Sequence, residues 1–128
     1  MMIDASAMVA ILLREPDGET LASEIDAAKA PFTSPLAIYE TIVAVMREKR
    51  LSAAEAEASV RAFLAAASIR IVMISDSMAT AAAAAFERFG KGRHPAALNL
   101  GDCFAYACAK AYRAPLLSMG EDFSRTDI

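Results

Sequence analysis

Four acidic residues stand where a carboxylate can do chemistry: Asp4, Glu40, Asp102 and Asp122. Asp4 closes the apolar opening Met1-Met-Ile3. Glu40 has Leu36, Ala37, Val43 and Ala44 as its helical neighbours, with no Lys or Arg within reach along the helix. Burying a carboxylate beside such a face is unfavourable unless it is paired or bound to a cation. Asp102 leads the apolar run Cys103-Phe-Ala-Tyr-Ala-Cys-Ala109, so it points to a sheet edge more readily than to open water. Asp122 follows the last apolar stretch. Oxygen ligands without His or Cys suit a hard ion, Mg²⁺ or else Mn²⁺. Such an ion relieves the repulsion among clustered carboxylates. It also lowers the pKa of a water, aligns it in line with a phosphodiester and stabilises charge on the leaving oxygen.

Each acid also has a simpler job open to it. Asp4 can cap a helix, and Asp102 can serve as the third helical residue behind an Asn99 cap, favouring the positive end of the dipole. Glu40 can be an exposed helix glutamate, and Asp122 a turn residue beside the solvated Glu121 and Asp127. Asp76 reads as a helix start. Ser6, Ser34 and Ser118 border the same region, where capping or strand-end hydrogen bonding is their first role. Other chemistries lack their residues. His94 is the sole histidine and falls in a loop, where surface or phosphate contact outranks catalysis; there is no CxxC and no glycine-rich phosphate loop. Cys103 and Cys108, five apart in one helix, point to different sides and read as reduced core thiols rather than a disulfide.

The elements that must bring these acids together alternate in type. Short apolar segments are predicted as strands at Met1–Ile3, Pro31–Ser34, Ile69–Ile74 and Ala114–Ser118. Helices are predicted from Asp4 or Ser6 to Leu13, from Gly18 to Lys29, and from Pro35 to Arg50 behind a Ser34 cap. Others should run from the Ser52/Glu55 capping box to Ala67, from Asp76 or Ser77 to Gly90, and from Leu100 or Gly101 to Tyr112. Gly90-Lys-Gly-Arg-His-Pro95 is a loop, and a terminal loop begins at Gly120. This order reads as α/β, a three-layer α/β/α sandwich with a mainly parallel central sheet, in a single domain over residues 1–128. In such a sheet sites form outside the carboxyl ends of the strands. Acids far apart in sequence therefore fall on one edge.

The 128 residues are 56% hydrophobic and 23% charged, which excludes a disordered chain. Much of the apolar share is alanine, favouring helices that pack closely. The apolar excess also points weakly to a buried face between identical chains. No membrane span and no signal peptide are expected, since Asp4, Glu15 and Asp17 break up the N-terminal run. A reduced, cytoplasmic setting is expected. The net charge of −3 argues against broad, sequence-blind binding of nucleic acid. With four carboxylates set aside for a cation pocket, however, the remainder is positive, and bases cluster at Arg47-Lys49-Arg50 and Arg88-Lys91-Arg93-His94.

The motifs carrying the acids resemble those of the PIN-domain ribonucleases, and among them the VapC-type toxins of bacterial toxin–antitoxin pairs. The resemblance spans essentially the whole chain. It rests on Met2-Ile-Asp4-Ala-Ser6-Ala, Ser34-Pro-Leu-Ala-Ile-Tyr-Glu40, Leu98-Asn-Leu-Gly-Asp102-Cys-Phe-Ala-Tyr-Ala107 and Pro115-Leu-Leu-Ser-Met-Gly-Glu-Asp122-Phe-Ser-Arg-Thr-Asp127. Ser118-Met119 departs from the bulky or basic pair often seen there. The resemblance implies Asp4 and Asp102 as metal ligands, Glu40 orienting or sharing the ion, and Asp122 completing the cluster directly or through water. It further implies a homodimer, endonucleolytic RNA cleavage leaving 5′-phosphate and 3′-hydroxyl ends, and a small cognate antitoxin that blocks the pocket. Three other readings use similar residues: a metal-dependent DNA nuclease or phosphatase, a catalytically silent interaction protein of the same fold, and a receiver-like phosphoacceptor. The last lacks acidic companions beside Asp4.

Overall fold

The computed structural model describes residues 1–128. Its strands are short: β1 Met2–Ile3, β2 Phe32–Thr33, β3 Arg70–Ile71 and β4 Leu116–Leu117. They pair in the order β3-β2-β1-β4, every pair parallel. Six α-helices connect them: α1 Ala5–Leu12, α2 Gly18–Ala27, α3 Pro35–Lys49, α4 Ala53–Ala66, α5 Asp76–Phe89 and α6 Leu100–Ala111. Helix α1 packs on α2 and α3, and α3 on α4, while α5 packs on α6, which in turn lies against β1 and β4. The result is the expected three-layer α/β/α sandwich on a parallel sheet.

Local chemistry accounts for the boundaries. Asp4 caps α1, Ser34 caps α3 with Pro35 in its first turn, and Ser52 with Glu55 closes a capping box on α4. Arg50 ends α3 in the left-handed region at φ 52°. The predicted strand Ile69–Ile74 is shorter than its apolar run, because the partner segment Phe32–Thr33 lies between Pro31 and Pro35 and offers little more to pair with. The last ladder bond beyond β3 is Val72 N–H to the Thr33 carbonyl, 2.9 Å. The terminal loop contains a 3₁₀ turn, Asp122–Arg125, that residue patterning did not indicate.

Thirty-one buried apolar residues form one continuous cluster, rich in alanine from α1, α5 and α6. Buried hydroxyls are satisfied: Thr33 Oγ1 donates to the Ile3 carbonyl at 2.8 Å and Thr41 Oγ1 to the Ala37 carbonyl at 2.7 Å. Cys103 and Cys108 are free thiols in this core. No helix is long and apolar enough to cross a membrane.

The chain runs from β1 outward to β2 and β3, then returns to place β4 on the other side of β1. The switch point therefore lies between β1 and β4, where a parallel α/β sheet opens a crevice at its carboxyl edge. Asp4 leaves β1 at that point, its N–H donating to the Leu117 carbonyl of β4 at 2.9 Å.

Candidate active site

Asp4 is 5% exposed, extended in backbone, and fixed by its helix-capping role. Its Oδ2 accepts from Ser6 N–H at 3.1 Å and from Ser6 Oγ at 2.5 Å. The Ser6 hydroxyl also accepts from Met119 N–H at 3.0 Å, so one side chain ties the end of β1 to the segment after β4. Burial holds the Asp4 carboxyl above the usual aspartate range; the Ser6 bonds oppose this, and the charge of Asp122 adds to it.

Glu40, in the second turn of α3, is half-buried and lies against the first turn of α6. A Cβ built on Gly101 would fall 2.6 Å from Glu40 Cδ, so only glycine leaves room for the carboxylate. Burial, then the charges of Asp4 and Asp102, push Glu40 from 4.5 to about 7. Asp102 is also partly buried. It completes a capping box with Asn99: Asp102 N–H donates to Asn99 Oδ1 at 3.0 Å and Asn99 N–H to Asp102 Oδ2 at 3.1 Å. Burial raises Asp102 to about 6, the Asn99 bond pulling down and the charges of Asp4 and Asp122 pushing up. Its capping role and its place among the acids therefore coexist. Asp122 is exposed and opens the 3₁₀ turn after β4.

The fold thus puts Asp4, Glu40 and Asp102 within one another's electrostatic reach at the carboxyl edge of the sheet, with Asp122 in reach of Asp4 and Asp102. Their side chains stop short of ligation geometry, since no three His, Cys, Asp or Glu residues are grouped closely enough to hold a metal ion. The donor set nonetheless fits a hard cation: it is oxygen only, with Asp4, Glu40 and Asp102 desolvated and holding protons against mutual repulsion. Three surface clefts lie elsewhere on the molecule, lined by other residues.

Comparison with known proteins decides the family. The PIN domain family model matches residues 1–128. Ribonuclease VapC of Mycolicibacterium smegmatis is 41% identical over 128 residues, covering 100% of this chain and 97% of that protein. Ribonuclease VapC30 of Mycobacterium tuberculosis is 40% identical, covering 100% and 95%. This chain belongs to the PIN-domain family and is homologous to VapC ribonucleases. Its fold also matches the crystal structure of Mycobacterium tuberculosis VapC20, described as a sarcin-ricin loop cleaving toxin. That match has a TM-score of 0.72 at 17% identity and covers 96% of this chain and 92% of that one.

Other residues of this PIN domain fall away from the acids' chemistry. His94 Nδ1 accepts from Ala96 N–H at 3.0 Å, and the ring meets Phe89 edge-on at 5.2 Å, so it closes the loop after α5. Arg93 lies over the Phe86 ring at 5.6 Å. Two contributors escaped the sequence reading, the space made by Gly101 and the partnering of Asp127, whereas Ser6 was placed at this edge by sequence and its hydroxyl holds the Asp4 carboxylate. Gly101 had a readable signal, a helix-weakening glycine in a chain that otherwise fills helices with alanine.

Proposed function

We propose that this chain is a metal-dependent endoribonuclease acting as the toxin of a toxin–antitoxin pair, with Asp4, Glu40, Asp102 and Asp122 as its site. The observation that carries the reading is the gathering of half-buried Glu40 and Asp102 beside buried Asp4 at the strand switch point, in a chain homologous to VapC ribonucleases. Carboxylates crowded and desolvated in this way are stabilised by a divalent cation. The four acids would hold Mg²⁺, or Mn²⁺ in its place; when bound, the ion lowers the pKa of water for attack on phosphorus and offsets charge on the leaving oxygen.

The chain's own residues supply position. Ser6 fixes the Asp4 carboxylate through two hydrogen bonds, and Asn99 fixes one oxygen of Asp102. Glu40, lying over Gly101 and able to hold or release a proton near neutrality, would orient or share the ion. Water attacks phosphorus in line and the bond to the 3′-oxygen breaks, leaving a 3′-hydroxyl and a 5′-phosphate. Lys49, Arg50 and Arg113 stand at the far ends of α3 and α6 from the acids, so a polymer reaching well beyond the cleaved bond would place its phosphates on them, with Arg93 a further candidate contact. A cognate antitoxin would cover the sheet's carboxyl edge, with an arginine competing electrostatically for the acids, and the toxin would act as a homodimer in the cytoplasm.

Total cellular RNA incubated with purified, antitoxin-free protein tests this, with Mg²⁺, Mn²⁺ or chelator and with a folded Asp4→Asn protein alongside. Discrete cuts bearing 5′-phosphates, dependent on metal and lost in the variant, are expected. Intact RNA from folded, metal-competent protein would sink the ribonuclease reading and direct the search to DNA or to a silent binding role.

A further inference from the structure

The segment that presents Asp122 is fastened to the body on both sides. Before it, Met119 N–H donates to Ser6 Oγ at 3.0 Å. After it, Tyr106 Oη donates to Asp127 Oδ1 at 2.5 Å, with Lys110 Nζ 3.3 Å and Arg88 Nη1 3.7 Å from Asp127 Oδ2. Between the two, Phe123 is buried in the core.

The position of Tyr106 gives the second fastening its meaning. It lies four residues beyond Asp102 in α6, so the two share one face of that helix, one turn apart. Asp127 lies five residues beyond Asp122. A single hydrogen bond therefore relates the helix that presents Asp102 to the tail that presents Asp122. Lys110 and Arg88 add little directional constraint, since their side chains are 44% and 58% exposed and such pairs are screened. The hydroxyl of buried Tyr106 is different: a bond to a carboxylate is charge-assisted and directional. Consistent with this, Asp127 lies below the usual aspartate range, the Tyr106 bond being the largest cause.

We propose that Tyr106 and Asp127 are positioning residues that set where Asp122 stands relative to Asp102. This rests on the reading of the four acids as a cation site. Outer residues that orient metal-binding groups typically change affinity or activity by about 10- to 100-fold.

The test uses the full chain with Tyr106→Phe, Asp127→Ala, Asp127→Glu and Asp122→Asn. Mn²⁺ affinity is measured by calorimetry without RNA, kcat and KM on a cleaved RNA, and amide exchange over residues 119–127 without metal. Tyr106→Phe and Asp127→Ala should bind Mn²⁺ about tenfold more weakly and lose about tenfold in kcat. KM should stay within about twofold, as expected when positioning rather than RNA binding is disturbed. Exchange should quicken over the tail, and Asp127→Glu should recover most of the loss. Wild-type affinity and kcat in Asp127→Ala, with both reduced in Asp122→Asn, would overturn the positioning role alone. Wild-type values in Asp122→Asn would overturn the site assignment and this proposal with it. Should Tyr106→Phe fail to fold, Asp127→Ala carries the test, because the Asp127 side chain lies at the surface.

Discussion

The Glu40 carboxylate, carried on α3, occupies the space that any side chain on Gly101 of α6 would need. Helix α3, which follows β2, and helix α6, which leads into β4, thus meet through an acid lying over a glycine, immediately before Asp102. The backbone at Gly101 is ordinary helix, so the requirement is for space and not for an unusual dihedral.

That contact predicts an uncommon split between stability and activity for Gly101→Ala. Alanine favours a helix over glycine by roughly 0.5–1 kcal/mol. The clashing atoms belong to the end of a flexible side chain, which can swing aside. The variant should therefore melt at or slightly above the wild-type temperature while RNA cleavage falls about tenfold or more, by analogy with other disturbed supporting contacts. Thermal melts and initial rates on one RNA decide it; full activity would mean that Glu40 is not needed in this position.

The raised carboxyls predict how stability varies with pH. Glu40 and Asp102 hold protons more tightly in the fold than in the unfolded chain, at about 7 and about 6 against 4.5 and 3.8. Their protonated forms therefore stabilise the fold below about pH 4, and this contribution is lost as pH rises through 6 and 7. The metal-free protein should melt at a lower temperature at pH 8 than at pH 5. A cation that binds the ionised acids should reverse the trend, so stabilisation by Mg²⁺ grows with pH. Melting curves with Mg²⁺ and with chelator at each pH check both statements. A shallower profile in Glu40→Gln, with the Asp102 part remaining, would locate the Glu40 share of the effect.

Asp4→Asn should separate folding from function. Asparagine caps a helix about as well as aspartate, so α1 keeps its start. The substitution also removes a carboxyl that burial holds above its usual range, so stability above neutral pH should rise. Cleavage should fall by more than about 100-fold, since even outer-shell changes can lose that much. A chemical denaturation curve and a cleavage assay on the same preparation report the two effects.

The cysteines should be inert in the native protein. Both are buried, and burial raises Cys103 and pushes Cys108 to about 11, leaving little thiolate to react. A thiol-reactive chromophore should label neither within the time that unfolded protein takes to label both. Rapid native labelling would show that α6 opens.

Helix positions were legible because their signals are local. Ser34-Pro35 and Ser52/Glu55 announce starts through side chains that satisfy free N–H groups a few residues away, and the structure uses them as read. Asn99 likewise capped Asp102 as foreseen. Strand length was not legible in the same way. Ile69–Ile74 is apolar enough for six residues, but a ladder extends only as far as its partner, and the partner lies between prolines.

The sequence by itself determined the kind of protein. The alternation of short apolar runs with alanine-rich helices dictates a parallel α/β sandwich, and the positions of the acids put Asp4 at a strand end, Glu40 and Asp102 in early helix turns, and Asp122 after the last strand. Tertiary structure alone decided how the acids relate to one another. Only the strand order places β4 beside β1, only the α3–α6 contact puts Glu40 over Gly101, and only the tail's return to Tyr106 gives Asp127 a partner. Caps and periodicities act within a few residues, whereas these contacts join segments tens of residues apart. Their chemistry exists only once the core has closed between them.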